Sequence, residues 1–180
     1  MNNKKLYFGA SKGKSLISKF IKWFQWGDPH THTFYIPESQ INLNNPKVIE
    51  AWHKPMLKGG AVRNGLFFDT HSPETPFDIL YLEVTEEQYI NFEAFMNSKL
   101  GFKYDFLGFA GFATRSKVTE QSDKYFCSEL VFAGLISVGI EIFKNTVPQE
   151  VSPAMFIKSP MLIEYKGLPN VRSKRTVWTR

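Results

Sequence analysis

Apolar residues recur along the chain in two patterns, one that predicts strands and one that predicts helices. Short alternating or continuous apolar runs are typical of strands, and they occupy residues 5–9, 32–37, 47–52 and 77–84. Longer segments with apolar residues every three or four positions are typical of helices, and they occupy residues 15–26, 86–100 and 127–140. A further short helix rich in Phe and Gly is expected at 105–113.

Local signals mark the ends of several of these elements. Ser15 is expected to cap the first helix, and Thr85 with Gln88 has the spacing of a capping box for the second. Gly27 and Gly101 are expected to end these two helices. A loop after the third strand is predicted from its proline and glycines, which are Pro55, Gly59 and Gly60.

The first helix carries an apolar stripe with lysines beside it. Residues at helical spacing on the stripe are Leu16, Phe20, Trp23 and Phe24. The more ordinary interpretation is that this stripe packs on the sheet while the lysines remain solvated. The combination of lysines and tryptophans also fits a helix that lies on a membrane surface, and we keep this as an alternative.

The order of the elements favours an α+β fold. Most strands come early, helices flank them and connections are short, which favours an antiparallel sheet over a doubly wound parallel one. No glycine-rich phosphate-binding loop is present. A length of 180 residues favours a single domain. We place this domain at residues 1–167 and expect a flexible basic tail at 168–180.

The net charge of +5 suggests nucleic-acid binding only until the charges are located. Residues 1–27 carry six lysines and no acid, and residues 171–180 carry four cations and no acid. The body between them holds all 17 acids and 12 cations, so its net charge is −5. A nucleic-acid partner is therefore not favoured, and only the basic tail keeps it open as an alternative.

The number of cysteines indicates the cellular compartment in which the protein works. Cys127 is the only cysteine, which excludes an intramolecular disulfide and a cysteine-rich zinc cluster. A free thiol is typical of a reducing compartment. No segment has the apolar run of a signal peptide or the ~18 apolar residues of a spanning helix. A cytoplasmic protein is therefore expected.

Cys127 also lies at the predicted start of the helix at 127–140. The unpaired N–H groups and the dipole of a helix favour an anion at this end. A thiol there should ionise more easily than usual, and the thiolate is the nucleophilic form. The alternative is a buried structural cysteine that begins an apolar helix face.

Four histidines could supply a base for this thiol. His32 opens a predicted strand, which would hold its ring more rigidly than a loop. His30, His53 and His71 lie beside turn and loop residues and are expected at the surface. Glu50 lies in an otherwise apolar strand, where it either faces solvent or orients an imidazole on the neighbouring strand.

Five short motifs follow one another along the chain. They are Thr31-His32-Thr33-Phe34, Val48-Ile49-Glu50-Ala51, Tyr104-Asp105, Tyr125-Phe126-Cys127-Ser128-Glu129 and Val151-Ser152-Pro153. Their content and order resemble those of the permuted papain-like cysteine hydrolases of YiiX type, which are relatives of the NlpC-type cell-wall peptidases. The resemblance spans roughly residues 5–160.

The resemblance implies a circularly permuted papain-like fold and a cysteine hydrolase that needs no cofactor or metal. Cys127 would be the nucleophile, His32 the base and Glu50 the residue that orients His32. Tyr104 would support the oxyanion or line the cleft. The substrate would contain an amide or ester bond, as in cell-wall peptides, isopeptides or acylated lipids. A catalytically inactive relative that acts as a binding module is the alternative.

Overall fold

The computed structural model describes residues 3–53, 59–105 and 123–167. The expected 168–180 tail and the expected 105–113 helix beyond its first residue lie outside these ranges. The strands are β1 (Lys4–Ser11), β2 (His32–Ile36), β3 (Lys47–His53), β4 (Gly60–Leu66), β5 (Phe77–Val84), β6 (Lys103–Tyr104), β7 (Lys124–Tyr125) and β8 (Ile163–Glu164). The α-helices are α1 (Leu16–Phe24), α2 (Glu86–Ser98), α3 (Cys127–Ser137) and α4 (Pro153–Ile157).

The eight strands form one sheet in the order β7-β6-β4-β3-β2-β1-β5-β8. Neighbouring strands are antiparallel, except that β6 and β7 run parallel. The expected α+β class with an antiparallel sheet is confirmed in this form. Strand β2, which begins at His32, and strand β3, which carries Glu50, are hydrogen-bonded neighbours inside the sheet. Two candidate residues are therefore held on adjacent, paired backbone.

The sheet extends into a segment for which the sequence predicts a loop. Residues 60–66 form β4, which pairs antiparallel with the whole length of β3. The prediction that the loop includes Gly60 is wrong. Its composition explains the error, because Arg63, Asn64 and two glycines are unusual in a strand. Pairing with β3 outweighs these weak local preferences.

Helix α2 begins as its local signals predict, but it ends at Ser98 with Lys99 as its C-cap, before the Gly101 that is expected to end it. Thr85 Oγ1 accepts a hydrogen bond from the Gln88 backbone N–H at 3.1 Å, and Gln88 Oε1 accepts one from the Thr85 N–H at 3.0 Å. This capping box satisfies two N–H groups that a helix end otherwise leaves unpaired. Gly101 follows the helix with a φ of 87°, a left-handed conformation that glycine adopts at low cost.

Helix α3 lies in the larger hydrophobic core. Its buried residues include Leu130, Val131, Phe132 and Leu135. Gly134 lets α2 approach closely, since a Cβ atom there would lie 2.7 Å from the ring of Phe92. This packing on several sides fixes the helix whose first residue is Cys127.

The sheet is covered on both faces, which explains why the central strands are buried throughout. On β1, Leu6 and Phe8 belong to the core cluster that contains α2 and α3. Tyr7, between them, belongs to a second cluster with Phe34 and Phe67. Alternate residues of one strand therefore enter different cores. The sequence predicts such a strand only weakly, because it shows a continuous apolar run instead of alternation.

Helix α1 faces the opposite way from the prediction. Ile21 is buried, whereas Phe20 is 46% exposed and Trp23 is 73% exposed. The polar residue Gln25 is buried instead, since its side chain donates to the His30 carbonyl at 2.9 Å and accepts from the Ala154 N–H at 2.8 Å. These two hydrogen bonds hold the polar side inward and leave the aromatic residues outside. No helix in the described ranges has the length and apolar character needed to cross a bilayer.

Candidate active site

Three residues proposed from the sequence converge beneath the start of α3. His32 begins β2, Glu50 lies in the middle of β3, and Cys127 is the first residue of α3. Helix α3 packs against β2 and β3. All three side chains are buried, with Glu50 fully enclosed and Cys127 2% exposed. The sheet and the buried helix therefore bring together residues that lie up to 95 positions apart in sequence.

His32 and Glu50 form a close pair. His32 Nε2 lies 2.5 Å from Glu50 Oε2. Burial alone disfavours a charged imidazole, but the charge of Glu50 and the hydrogen bonds of His32 to Glu50 and Cys127 outweigh it. The balance raises the pKa of His32 to about 10. His32 is therefore an imidazolium at neutral pH.

Cys127 forms the other contact of this imidazole. Since Nε2 faces Glu50, Nδ1 is the ring nitrogen left for the interaction of His32 with the Cys127 sulfur. Burial opposes ionisation of the thiol, but His32 and the backbone N–H groups of Thr33 and Ser128 favour it. The pKa of Cys127 is lowered as a result. The arrangement favours a thiolate–imidazolium pair.

The second oxygen of Glu50 has its own partners, which sequence reasoning missed. Arg63 Nε donates to Glu50 Oε1 at 2.8 Å, Arg63 Nη2 donates to the same oxygen, and Thr70 Oγ1 donates to it at 3.2 Å. Burial would raise the pKa of Glu50, but His32, His71 and Arg63 lower it to about 2. Glu50 is therefore a fixed anion whose other oxygen, Oε2, faces His32.

Arg63 could not be found from its neighbours in sequence. It stands on β4 directly opposite Glu50 in the β3–β4 register. Only the pairing of β3 with β4 would have revealed Arg63. The sequence does not predict this pairing, because the composition of β4 is unusual for a strand.

His71 is buried, so the expectation of a surface role is wrong. Its ring stacks on Phe67 with centroids 4.0 Å apart and lies 4.4 Å from the ring of Trp52. Nδ1 lies 3.1 Å from the Phe67 carbonyl oxygen, which can only accept, so Nδ1 carries the proton. Burial and the nearby charge of His32 lower the pKa of His71 to about 4. His71 is therefore a neutral ring packed beside His32.

His30 is also buried, again contrary to expectation. Its Nδ1 lies 2.9 Å from Asp28 Oδ1, and its Nε2 lies 2.7 Å from Asp78 Oδ2. Lys158 and Lys12 pair with these two acids at 2.8 and 2.9 Å. His30 thus belongs to a closed network of charges, where both ring nitrogens are already used.

A cavity of about 260 Å³ opens beside His32. Trp52, His53 and Tyr104 line it on one side, and residues of α1 line it on another. His53, expected at the surface, is half-buried here, with its ring 5.6 Å from that of Tyr104. Burial and the nearby charges of Cys127, Asp105 and Glu129 raise the pKa of Tyr104, so its hydroxyl keeps its proton. The cavity gives a small molecule or chain end access to His32.

The Ser-Pro motif supports the start of α3 from behind. Ser128 Oγ donates to the Val151 carbonyl at 2.6 Å. Ser152 Oγ accepts from the Met155 N–H at 3.1 Å and so caps α4. These bonds attach the first turn of α3 to the following segment and so help to fix the position of Cys127.

Three donor atoms near the pair could be considered as metal ligands. His32 Nε2, Glu50 Oε2 and His71 Nε2 all lie within 4.8 Å of one another. Two ligands of a tetrahedral zinc ion lie roughly 3.3 Å apart, whereas His32 Nε2 and Glu50 Oε2 are 2.5 Å apart. These two atoms are hydrogen-bonded to each other. A metal ion at these atoms would have to displace the His32–Glu50 hydrogen bond, whereas the buried His71 Nε2 has no hydrogen-bond partner among the described residues.

Comparison with known proteins identifies the fold. No protein-family model matches the chain, and no curated protein matches it. The crystal structure of the metalloprotein YiiX from Escherichia coli O157:H7, a DUF1105 protein, matches with a TM-score of 0.60 and 16% identity. The match covers 90% of this chain and 96% of that chain. The YiiX-type fold implied by the five motifs is therefore confirmed, and at this identity the likeness concerns the fold alone.

Proposed function

We propose that this chain, which has the YiiX-type fold, is a cysteine-dependent hydrolase of the permuted papain-like, NlpC-related kind. The observation that carries the proposal is the buried His32, which bonds to Glu50 on one side and to Cys127 on the other. A nucleophile, a base and an orienting acid in contact are the elements of covalent acyl transfer.

The first half of the reaction forms a thioester. The Cys127 thiolate attacks the carbonyl carbon of an amide or ester, and the carbonyl electron pair moves to oxygen. When the tetrahedral intermediate collapses, the bond to the leaving group breaks and His32 Nδ1–H gives that group its proton. The products are a Cys127 thioester and a free amine or alcohol.

The second half consumes water. His32, now neutral, removes a proton from a water molecule that attacks the thioester carbonyl. Collapse of this intermediate releases a carboxylic acid and returns the thiolate–imidazolium pair. The two half-reactions together need no oxidant, reductant or cofactor.

Glu50 and Arg63 act through His32. Glu50 Oε2 holds His32 Nε2, which directs Nδ1 at the sulfur. Arg63 and Thr70 hold Oε1, so the carboxylate cannot rotate without breaking these hydrogen bonds. Orientation of this kind contributes to catalysis without contact to the substrate.

The oxyanion would lie near the start of α3. The backbone N–H of Cys127, at the positive end of the helix, is the first candidate donor. The protonated hydroxyl of Tyr104 is the second, because Tyr104 lines the cavity and lies close enough to feel the Cys127 charge. A reducing, cytoplasmic setting would keep the single thiol active.

A hydrolysis panel tests this proposal. It would offer cell-wall peptides, isopeptides and N-acyl or O-acyl lipids to the wild type and to Cys127→Ala. We expect turnover of at least one class by the wild type, loss with Cys127→Ala, loss on alkylation and no loss with a chelator. Turnover that survives Cys127→Ala, or that a chelator abolishes, would contradict the mechanism. Cys127 labelling without turnover of any class would favour a binding module.

A further inference from the structure

The outward side of α1 forms an aromatic surface. Trp23 is 73% exposed, Phe20 is 46% exposed, and Trp26, just beyond the helix, is 92% exposed. At 100° per residue, Trp23 lies opposite the buried side that contains Ser18, Ile21 and Gln25. Exposed apolar patches of this kind mark interaction sites more often than isolated apolar residues do.

The aromatic residues form one surface. Phe24 packs edge-on against both Phe20 and Trp23, each at a centroid distance of 4.6 Å. This mutual packing joins Phe20, Trp23 and Phe24 in one continuous apolar patch. The geometry therefore favours an apolar partner.

Trp26 is held outward at an energetic cost. Its φ is 57°, in the left-handed region that bulky residues rarely occupy. The strained backbone turns the most exposed tryptophan of the described residues away from the rest of the domain. Exposure and strain in one residue point to a role outside the domain.

Charge identifies the partner. Lys14 and Lys19 are exposed and Lys22 is half-buried, and these three form no ion pair with any residue in the described ranges. Residues 1–27 contain no acid, so a second copy of the same surface would be repelled. Tryptophan and phenylalanine with neighbouring lysines match the interface of an anionic bilayer.

We propose that α1 and Trp26 dock the protein on an anionic lipid bilayer through Phe20, Trp23 and Trp26, with Lys14, Lys19 and Lys22 at the lipid headgroups. The inner side of the same helix contributes Ser18 and Ile21 to the cavity beside His32. Docking therefore brings this cavity close to the membrane surface. The docking itself does not depend on the proposed hydrolase activity.

Vesicle sedimentation of the full chain tests this docking. The vesicles would be phosphatidylcholine alone or roughly one part phosphatidylserine to two parts phosphatidylcholine. We expect binding to the anionic vesicles that weakens at high salt. The double variant Trp23→Ser/Trp26→Ser should bind at least about tenfold more weakly. Lys19→Ser/Lys22→Ser should also bind about tenfold more weakly than the wild type at low salt. This difference should disappear at high salt, where the charges are screened.

Controls separate this surface from other features. Ile90→Ser removes a 58% exposed side chain from α2 and should bind as the wild type does. The cations at 172–180 are intact in every variant, so binding that they cause would persist in the tryptophan variant and contradict the proposal. Equal binding to neutral vesicles, or preference for duplex DNA over vesicles, would also overturn it. Cys127→Ala should bind normally, which keeps this test separate from that of the hydrolase.

Discussion

Two histidines that lie two positions apart are both buried against acids, yet only one of them contacts a thiol. His30 lies between Asp28 and Asp78, and lysines pair with both acids. His32 has Glu50 on one side and Cys127 on the other, and a cavity opens beside it. A buried histidine–carboxylate pair is therefore not in itself a reactive site. The difference is the second contact of His32, to a thiol that can lose its proton.

The two clusters also differ in how their charges are balanced. At His30 both ring nitrogens face carboxylates, so the ring connects the segment before β2, through Asp28, to β5, through Asp78. At His32 one nitrogen faces the fixed anion and the other is directed at sulfur. Substitutions in the first cluster should change stability, and those in the second should change chemistry.

Among the substitutions that test this contrast, Cys127→Ala should have the largest effect on activity. Hydrolysis should fall by at least about a thousandfold, because a nucleophile cannot be replaced by positioning alone. The melting temperature should change little, since a small buried side chain is replaced by another small one. Assay of turnover beside thermal melting would check this, and retained turnover would remove Cys127 from the mechanism.

Glu50→Gln should lower kcat/KM by about a hundredfold. Without the carboxylate charge the pKa of His32 falls from about 10, so the alkaline limb of the activity profile should move to lower pH. The pH profile distinguishes this positioning role from simple loss of folded protein. An unchanged alkaline limb would show that Glu50 does not act on His32.

Arg63→Gln should have a smaller effect of about tenfold on kcat/KM. It removes two donors from Glu50 Oε1, but leaves Thr70 and the His32 bond in place. Arg63→Lys should recover part of the loss, because one charged donor can still reach the carboxylate. If both variants have wild-type kinetics, Arg63 does not position Glu50.

His30→Asn should show the opposite behaviour and the smallest change in chemistry. We expect a loss of about 1–3 kcal/mol in the free energy of unfolding, because the buried ring is lost and the partly buried acids Asp28 and Asp78 lose a partner. Kinetic constants of the folded protein should stay within about twofold of the wild type. Chemical denaturation with kinetic assay would check this, and a selective loss of kcat would contradict the comparison.

The same contrast should be visible in stability against pH. His30 and Lys12 outweigh burial and lower the pKa of Asp78 to about 2. A lowered acid pKa stabilises the fold above the ordinary value, and this contribution is lost as pH falls towards 2. The raised pKa of His32 stabilises the fold below its ordinary value, and this contribution is lost as pH rises through about 10. His30→Asn should therefore reduce the acid dependence, and Glu50→Gln the alkaline dependence.

The site residues that could be predicted from the sequence are those whose strand or helix is marked by local signals. His32 opens a strand, Glu50 interrupts an apolar strand and Cys127 begins a helix, and each is visible within a few residues. Arg63 and His71 could not be found in this way. The position of Arg63 depends on the β3–β4 register, and His71 reaches the site only through the turn after Phe67.

The direction of α1 shows the same limit. Apolar spacing predicts which residues share one side of a helix, but it does not say which side is buried. Two hydrogen bonds of Gln25, one to His30 and one to Ala154, turn the polar side inward. Both partners are known only from the tertiary structure.

The alkylation rate of the single cysteine as a function of pH tests the central claim most directly. Because Cys127 is the only thiol, the signal has one source. With His32 paired to the sulfur, the rate should reach its plateau well below the ordinary thiol pKa of about 8.5, and His32→Ala should move the midpoint to or above that value. A wild-type midpoint near the ordinary thiol pKa, unchanged in His32→Ala, would contradict the thiolate–imidazolium pair.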